Sequence, residues 1–131
     1  MKRPSDRYDI DWGVVEAEVT SLLQDLIRID TTNPPGNETE AARYIAGRLE
    51  AEGLPAALTE SAPGRGNVTT RLPGGGNDPL LLLGHTDVVA VEPDKWTHPP
   101  FSGALVNGCV WGRGALDMKN MVAAELVVLL L

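Results

Sequence analysis

Leu80-Leu81-Leu82-Leu83-Gly84-His85-Thr86-Asp87 is an apolar run that ends by presenting a histidine and a carboxylate. With Pro79 before the four leucines and Gly84 after them, the run predicts a strand buried on both faces in the middle of an α/β sheet. His85 and Asp87 then stand at the strand's tip. Two positions apart in extended chain, they face the same side at a backbone separation of about 6–7 Å, so their side chains can converge on one point. A second stretch, Gly112-Arg113-Gly114-Ala115-Leu116-Asp117-Met118-Lys119, adds another carboxylate.

Toward the amino terminus, Pro73-Gly74-Gly75-Gly76-Asn77-Asp78-Pro79 is dense in turn formers and predicts a hairpin tip leading into the leucine strand. No helix follows its glycines and no Lys-Ser or Lys-Thr pair closes them, which argues against a phosphate-binding loop. Ala56–Glu60 and 67–72 read as short strands around Ser61-Ala62-Pro63-Gly64-Arg65-Gly66. Before them, Ala41, Tyr44, Ile45 and Leu49 form a helical stripe that opens at Asn37, with Glu40 three residues on as a variant capping box, and closes at Gly53. A first helix from about Trp12 to Ile29 buries Val15, Val19, Leu22, Leu23, Leu26 and Ile27 on one face. It must stop at Asp30-Thr31-Thr32-Asn33-Pro34-Pro35-Gly36, where two prolines remove donors. Residues 1–11 read as a mobile polar arm.

Toward the carboxyl terminus, residues 88–103 form a loop stiffened by Trp96, Pro99, Pro100 and Phe101, with His98 as a packing or surface residue. Residues 104–106 and 109–111, joined by Asn107-Gly108, carry the strongest hairpin signal in the chain. From about Asp117 a helix runs to Leu131, with Asp117 at or beside its positive end and Glu125 as the one charged group of its apolar body. That apolar run falls short of the roughly 18–20 residues that span a bilayer, so it predicts a buried core helix. No glycine or proline stop follows Leu131, and we expect the chain to be the front piece of a longer protein, cut in or just after this helix.

The chain has 131 residues, 43% of them hydrophobic and 22% charged, enough for one globular core. Eleven basic against 18 acidic side chains give a net charge of −7, which opposes binding to nucleic acid or anionic membrane. Cys109 has no cysteine partner, so the expected address is cytoplasmic and the expected thiol is buried filler. Nothing in the opening residues reads as a secretory signal.

Zinc takes neutral imidazole and carboxylate, and a ligating histidine commonly gives its other N–H to a carboxylate. His85 and Asp87 suit those two roles, and Asp117, with two oxygens, could bridge a pair of cations. A His-x-Asp after a strand is more commonly a hydrogen-bonded structural pair, and spacing alone does not decide between the two. Arg113, between glycines, could touch substrate, although a structural arginine bonded to backbone is the commoner use; Lys119 is a similar case. Gly112-x-Gly114 lacks the third glycine and the later acid of a dinucleotide fingerprint.

Gly84-His85-Thr86-Asp87-Val88-Val89, then Trp96 with Pro100-Phe101, then Gly112-Arg113-Gly114 with Asp117-Met118-Lys119, come in a familiar order. With the Asp30–Glu38 segment, they make the chain resemble the acetylornithine deacetylase, succinyl-diaminopimelate desuccinylase, aminoacylase and carboxypeptidase G family of di-zinc hydrolases, from roughly Val15 onward. The resemblance implies that His85 is a terminal zinc ligand, Asp87 the carboxylate that orients it, and Asp117 the bridging ligand. It departs at Ala90 and Asn120, where relatives often have proline and glycine. The family's later Glu-Glu pair, a further acidic ligand and a late histidine have no counterpart in this chain.

The expected fold is α/β, with residues 12–131 as the amino-terminal part of a three-layer, mixed-sheet catalytic domain and the lid or dimerisation domain absent. The resemblance implies a metallopeptidase that hydrolyses an amide bond of an N-acyl amino acid or small peptide. The water would be activated by zinc, two ions per complete site, with cobalt or manganese as possible substitutes. A homodimer through the missing domain is the implied assembly. With two ligands and no general base, the chain by itself is expected to be inactive. The alternative is a binding or interaction module that keeps the fold without the reaction.

Overall fold

The computed structural model describes residues 10–76 and 78–131, so most of the polar arm predicted for 1–11 lies outside the described residues. Helix α1 spans Trp12–Arg28, and Asp11 caps it by accepting from the backbone N–H of Gly13 and Val14 through Oδ1. Helix α2 spans Glu38–Ala51. Strands β1 (Ala56–Glu60) and β2 (Gly66–Thr70) pair antiparallel, as do β3 (Ala104–Val106) and β4 (Cys109–Trp111). Helix α3 spans Lys119–Leu130. The class is α/β, with three α-helices, a short 3-10 turn at Pro93–Lys95 and two separate two-stranded sheets among the described residues.

The core is a helical cluster. Leu22 and Leu26 of α1, Ile45 and Leu49 of α2, and Ala123, Leu126 and Val127 of α3 are buried together. The stripes predicted for the first two helices are therefore the faces that meet. The β1–β2 hairpin packs on α2, with Val68 and Ala56 turned to the same core.

Glycine permits two close approaches that bring the site together. A Cβ at Gly112 would run into the Ile27 side chain of α1, and one at Gly84 would lie 2.7 Å from Val122 Cγ2 of α3. The first lets the end of β4 lie against α1. The second lets the residue before His85 lie against α3, the helix that Asp117 precedes.

The leucine run departs from its expectation. Leu80–Leu83 form no strand, and Leu80, Leu81 and Leu83 are 86%, 79% and 76% exposed. Among the described residues no strand flanks the run, so its backbone has no ladder and its side chains have no layer above or below. The one parallel pairing among the described residues, Thr32 with Val88, comes after it. Among the described residues β2 pairs with β1 and not with the leucines, so the expected hairpin between them is not formed; Asn77 of its expected tip lies outside the described residues. The capping box at Asn37 is also absent: the Glu40 N–H donates to the Asn37 backbone O at 3.2 Å, the Thr39 N–H donates to Gly64 O at 3.0 Å, and the Asn37 side chain donates to Glu40 Oε2. A backbone carbonyl thus takes the N–H that the asparagine side chain was expected to take, and the β1–β2 turn supplies a second carbonyl to the first turn of α2. Cys109 is exposed, since it sits on the short β3–β4 hairpin, where nothing covers its face.

Candidate metal centre

Asp30 to Gly36 and His85 to Val88 lie side by side. Asn33 N donates to Val88 O at 2.8 Å, Val88 N donates to Thr31 O at 3.1 Å, and the buried Thr31 hydroxyl donates to Thr86 O. This short parallel ladder fixes the backbone around Asp87. Helix α3 starts from a Gly112–Met118 turn, in which Lys119 N donates to Gly114 O. Lys119 is fully buried, and its Nζ donates to Leu26 O and Ile29 O at 2.8 Å each. The expectation of a backbone-bonding residue holds for it. Burial pulls its ammonium down to about 8.

The His85 imidazole stands between two carboxylates. Its Nδ1 lies 3.0 Å from Asp87 Oδ1 and 3.2 Å from Asp87 O, and its Nε2 lies 3.1 Å from Asp117 Oδ1. Burial alone would lower the imidazole pKa, but the hydrogen bond to Asp117, the one to the Asp87 backbone carbonyl and the charges of both carboxylates raise it on balance. Asp87 is pushed below the usual carboxylate range, first by the hydrogen bond from Asn33 and, against a smaller opposing effect of burial, by the charge of His85. Asp117 is almost fully exposed, and its peptide bond to Met118 is cis. The geometry brings together the three residues singled out in the sequence.

Asp87 and Asp117 meet opposite nitrogens of the ring, so they cannot both join His85 around one point. Among the described residues no group of three or more His, Cys, Asp or Glu side chains is arranged to hold a metal ion. The pair His85 Nε2 and Asp117 Oδ1 does fit one: at 3.1 Å they are spaced much as two ligands of an ion held at about 2.0–2.2 Å. Asp87 on Nδ1 fits the orienting role, because it fixes the tautomer that leaves Nε2 free to ligate.

Two contacts escaped sequence reasoning. Asn33 Nδ2 donates to Asp87 Oδ2 at 3.2 Å, and Arg65 donates to Asn33 Oδ1 at 2.9 Å. Arg65 Nε also lies 2.8 Å from Oε2 of the buried Glu38. Neither oxygen of Glu38 has an aligned hydrogen-bond donor, so this contact is an ion pair of charges rather than a directed bond. The pattern Asn-Pro-Pro-Gly marked a turn, and nothing in it pointed to a carboxylate 54 residues on.

The centre opens on a cleft of about 400 Å³ walled by Val88, Trp96, Val110, Trp111, Arg113 and Leu116. Arg113 does not use its side chain on backbone as expected; its guanidinium stacks over Trp96, 5.2 Å from the ring centroid. His98 packs edge-on against Trp111, in keeping with a packing residue. Glu125 stays within α3, beside Gly84.

Residues 81–130 match the model of peptidase family M20/M25/M40, a span that contains His85, Asp87 and Asp117. Over that span the chain is similar to the family's members. It is 41% identical over 109 residues to a succinyl-diaminopimelate desuccinylase of Methylobacterium sp. (strain 4-46), covering 79% of this chain and 26% of the relative. It is 36% identical over 112 residues to an N-formyl-4-amino-5-aminomethyl-2-methylpyrimidine deformylase of Halalkalibacterium halodurans, covering 82% of this chain and 26% of that protein. The chain thus spans about a quarter of the length of these curated relatives. No helix among the described residues is long and apolar enough to cross a membrane.

Proposed function

We propose that the protein hydrolyses an amide bond of an N-acyl amino acid or small peptide at a metal centre built on His85 and Asp117. The observation that carries this is the imidazole held at one nitrogen by Asp87 and turned at the other toward Asp117. The carboxylate and the backbone carbonyl of Asp87 both face Nδ1 and so keep Nε2 available as a donor atom. Asp117, exposed at the mouth of the cleft, has a second oxygen to offer and suits the bridging position. His85 and Asp117 would hold zinc, two ions per complete site, and the bound metal would supply a lowered water pKa, near 7, and polarisation of the scissile carbonyl. The apolar wall of Val88, Trp96, Val110 and Leu116 suits the acyl or side-chain part of a small substrate.

The relatives' names support the reaction class, since a desuccinylase and a deformylase each remove an acyl group from nitrogen. Residues 12–131 then form part of the catalytic domain. Two ligands and no general base leave this chain alone inactive, because a catalytic zinc normally takes three protein ligands and a water. A cytoplasmic address suits the lone exposed thiol of Cys109, and a homodimer is the assembly we expect. The test is chelation of the protein made from its full reading frame, followed by assay on N-succinyl, N-formyl and N-acetyl amines. Hydrolysis should vanish and return with zinc, cobalt or manganese. Hydrolysis that survives exhaustive chelation overturns the proposal.

A further inference from the structure

Asp87 has two oxygens, and the fold gives each a different partner. Oδ1 faces His85 Nδ1 at 3.0 Å, and Oδ2 accepts from Asn33 Nδ2 at 3.2 Å. The Asn33 amide is itself locked the right way round. Arginine can only donate, so the atom that faces Arg65 at 2.9 Å must be the amide oxygen, and the NH2 is left for Asp87. Arg65 in turn sits against the buried carboxylate of Glu38, at the first turn of α2. Each member comes from a different element: the α1–α2 connection, the β1–β2 turn and the amino end of α2.

We infer that Asn33, oriented by Arg65, is a positioning residue that holds the Asp87 carboxylate so that Oδ1 alone is presented to the His85 imidazole. Without Asn33, the carboxylate is free to rotate about its Cβ–Cγ bond and to spend its charge on water. Without Arg65, the Asn33 amide can flip and set its oxygen against Oδ2, which repels. Both changes therefore loosen the same contact, between Asp87 Oδ1 and His85 Nδ1. The inference rests on the roles proposed above for His85 and Asp87, and it adds two residues to the machinery that steers the reaction.

The experiment is a double-mutant cycle of Asn33→Ala and Arg65→Met in the protein made from its full reading frame, read in two ways. The first reading is the imidazole N–H resonance of His85 in protein labelled with 15N-histidine. Its downfield Nδ1 proton should broaden or move upfield in both single variants and no further in the double. The second is kinetic: kcat should fall about tenfold, at the lower end of what partners of a ligating histidine contribute, with KM and metal content held. The double variant should be no slower than Asn33→Ala alone. Because Arg65→Met strips Glu38 of its cation, the cycle is repeated in a Glu38→Gln background, where no buried charge is left unpaired. An unmoved His85 resonance, or kcat losses that simply multiply, overturns the inference and leaves Arg65 as a structural tie to α2. If the wild-type protein hydrolyses no amide at all, the proposed function fails, and the resonance still decides whether Asn33 and Arg65 steer Asp87.

Discussion

At the residue scale, the site follows from which polar atoms each side chain can satisfy. His85, Asp87 and Asp117 could be read from sequence because each lies in a short local pattern, at a strand-like tip or just before a helix. Asn33 and Arg65 could not, because their partners lie 54 and 32 residues away and only the folded chain brings them together. The same scale governs Tyr44, whose hydroxyl donates to Asp25 Oδ2 at 2.9 Å across the α1–α2 interface. Burial and that bond push the phenol up from 10.0 to about 12. The folded state therefore holds this proton more tightly than the unfolded one. Its contribution to stability is whole below pH 10 and is lost as the pH rises toward 12. Tyr44→Phe should cost about 0.5–1.5 kcal/mol at neutral pH and flatten the fall in stability between pH 10 and 12. Urea melts at several pH values check this, and a wild-type slope kept in the variant contradicts it.

At the element scale, helices and hairpins were legible because their signals are periodic or local. The Asn107-Gly108 turn, with φ of 51° and 77°, needs only its own two residues to join β3 to β4. The leucine run was misread because four apolar residues report a demand for burial, not the layers that meet it. A strand exists only where another strand offers a ladder. The start of α2 shows the same dependence on distant chain, since the Gly64 carbonyl reaches Thr39 N from the β1–β2 turn. The fit between β4 and α1 offers a direct test. A methyl at Gly112 would meet Ile27 and stand 3.0 Å from Pro100 O, so one side must move. Gly112→Ala should destabilise by about 1–3 kcal/mol, the usual effect of overpacking, measured by thermal or urea unfolding. Unchanged stability would mean that the approach of β4 to α1 is looser than described.

At the scale of the whole molecule, a helical core coexists with an uncovered apolar flank. Leu80, Leu81 and Leu83 present adjacent leucines to solvent, with Leu116 also 88% exposed. Contiguous apolar surface of this kind favours association. The 131-residue chain on its own should therefore elute above its monomer size of 14.0 kDa, and Leu81→Asp with Leu83→Asp should shift it toward monomer. Light scattering behind size exclusion reads this, and a monomer in both cases contradicts it.

The central claim is that His85 and Asp117 bind the metal while Asp87 orients His85. Metal content per protomer in the full-reading-frame protein and in His85→Ala, Asp117→Ala and Asp87→Ala tests it most directly. His85→Ala and Asp117→Ala should lose bound zinc, because a ligand is gone. Asp87→Ala should keep much of its zinc, with affinity or turnover lower by about 10–100-fold. Equal zinc loss in all three variants, or full zinc content in His85→Ala, would contradict the account.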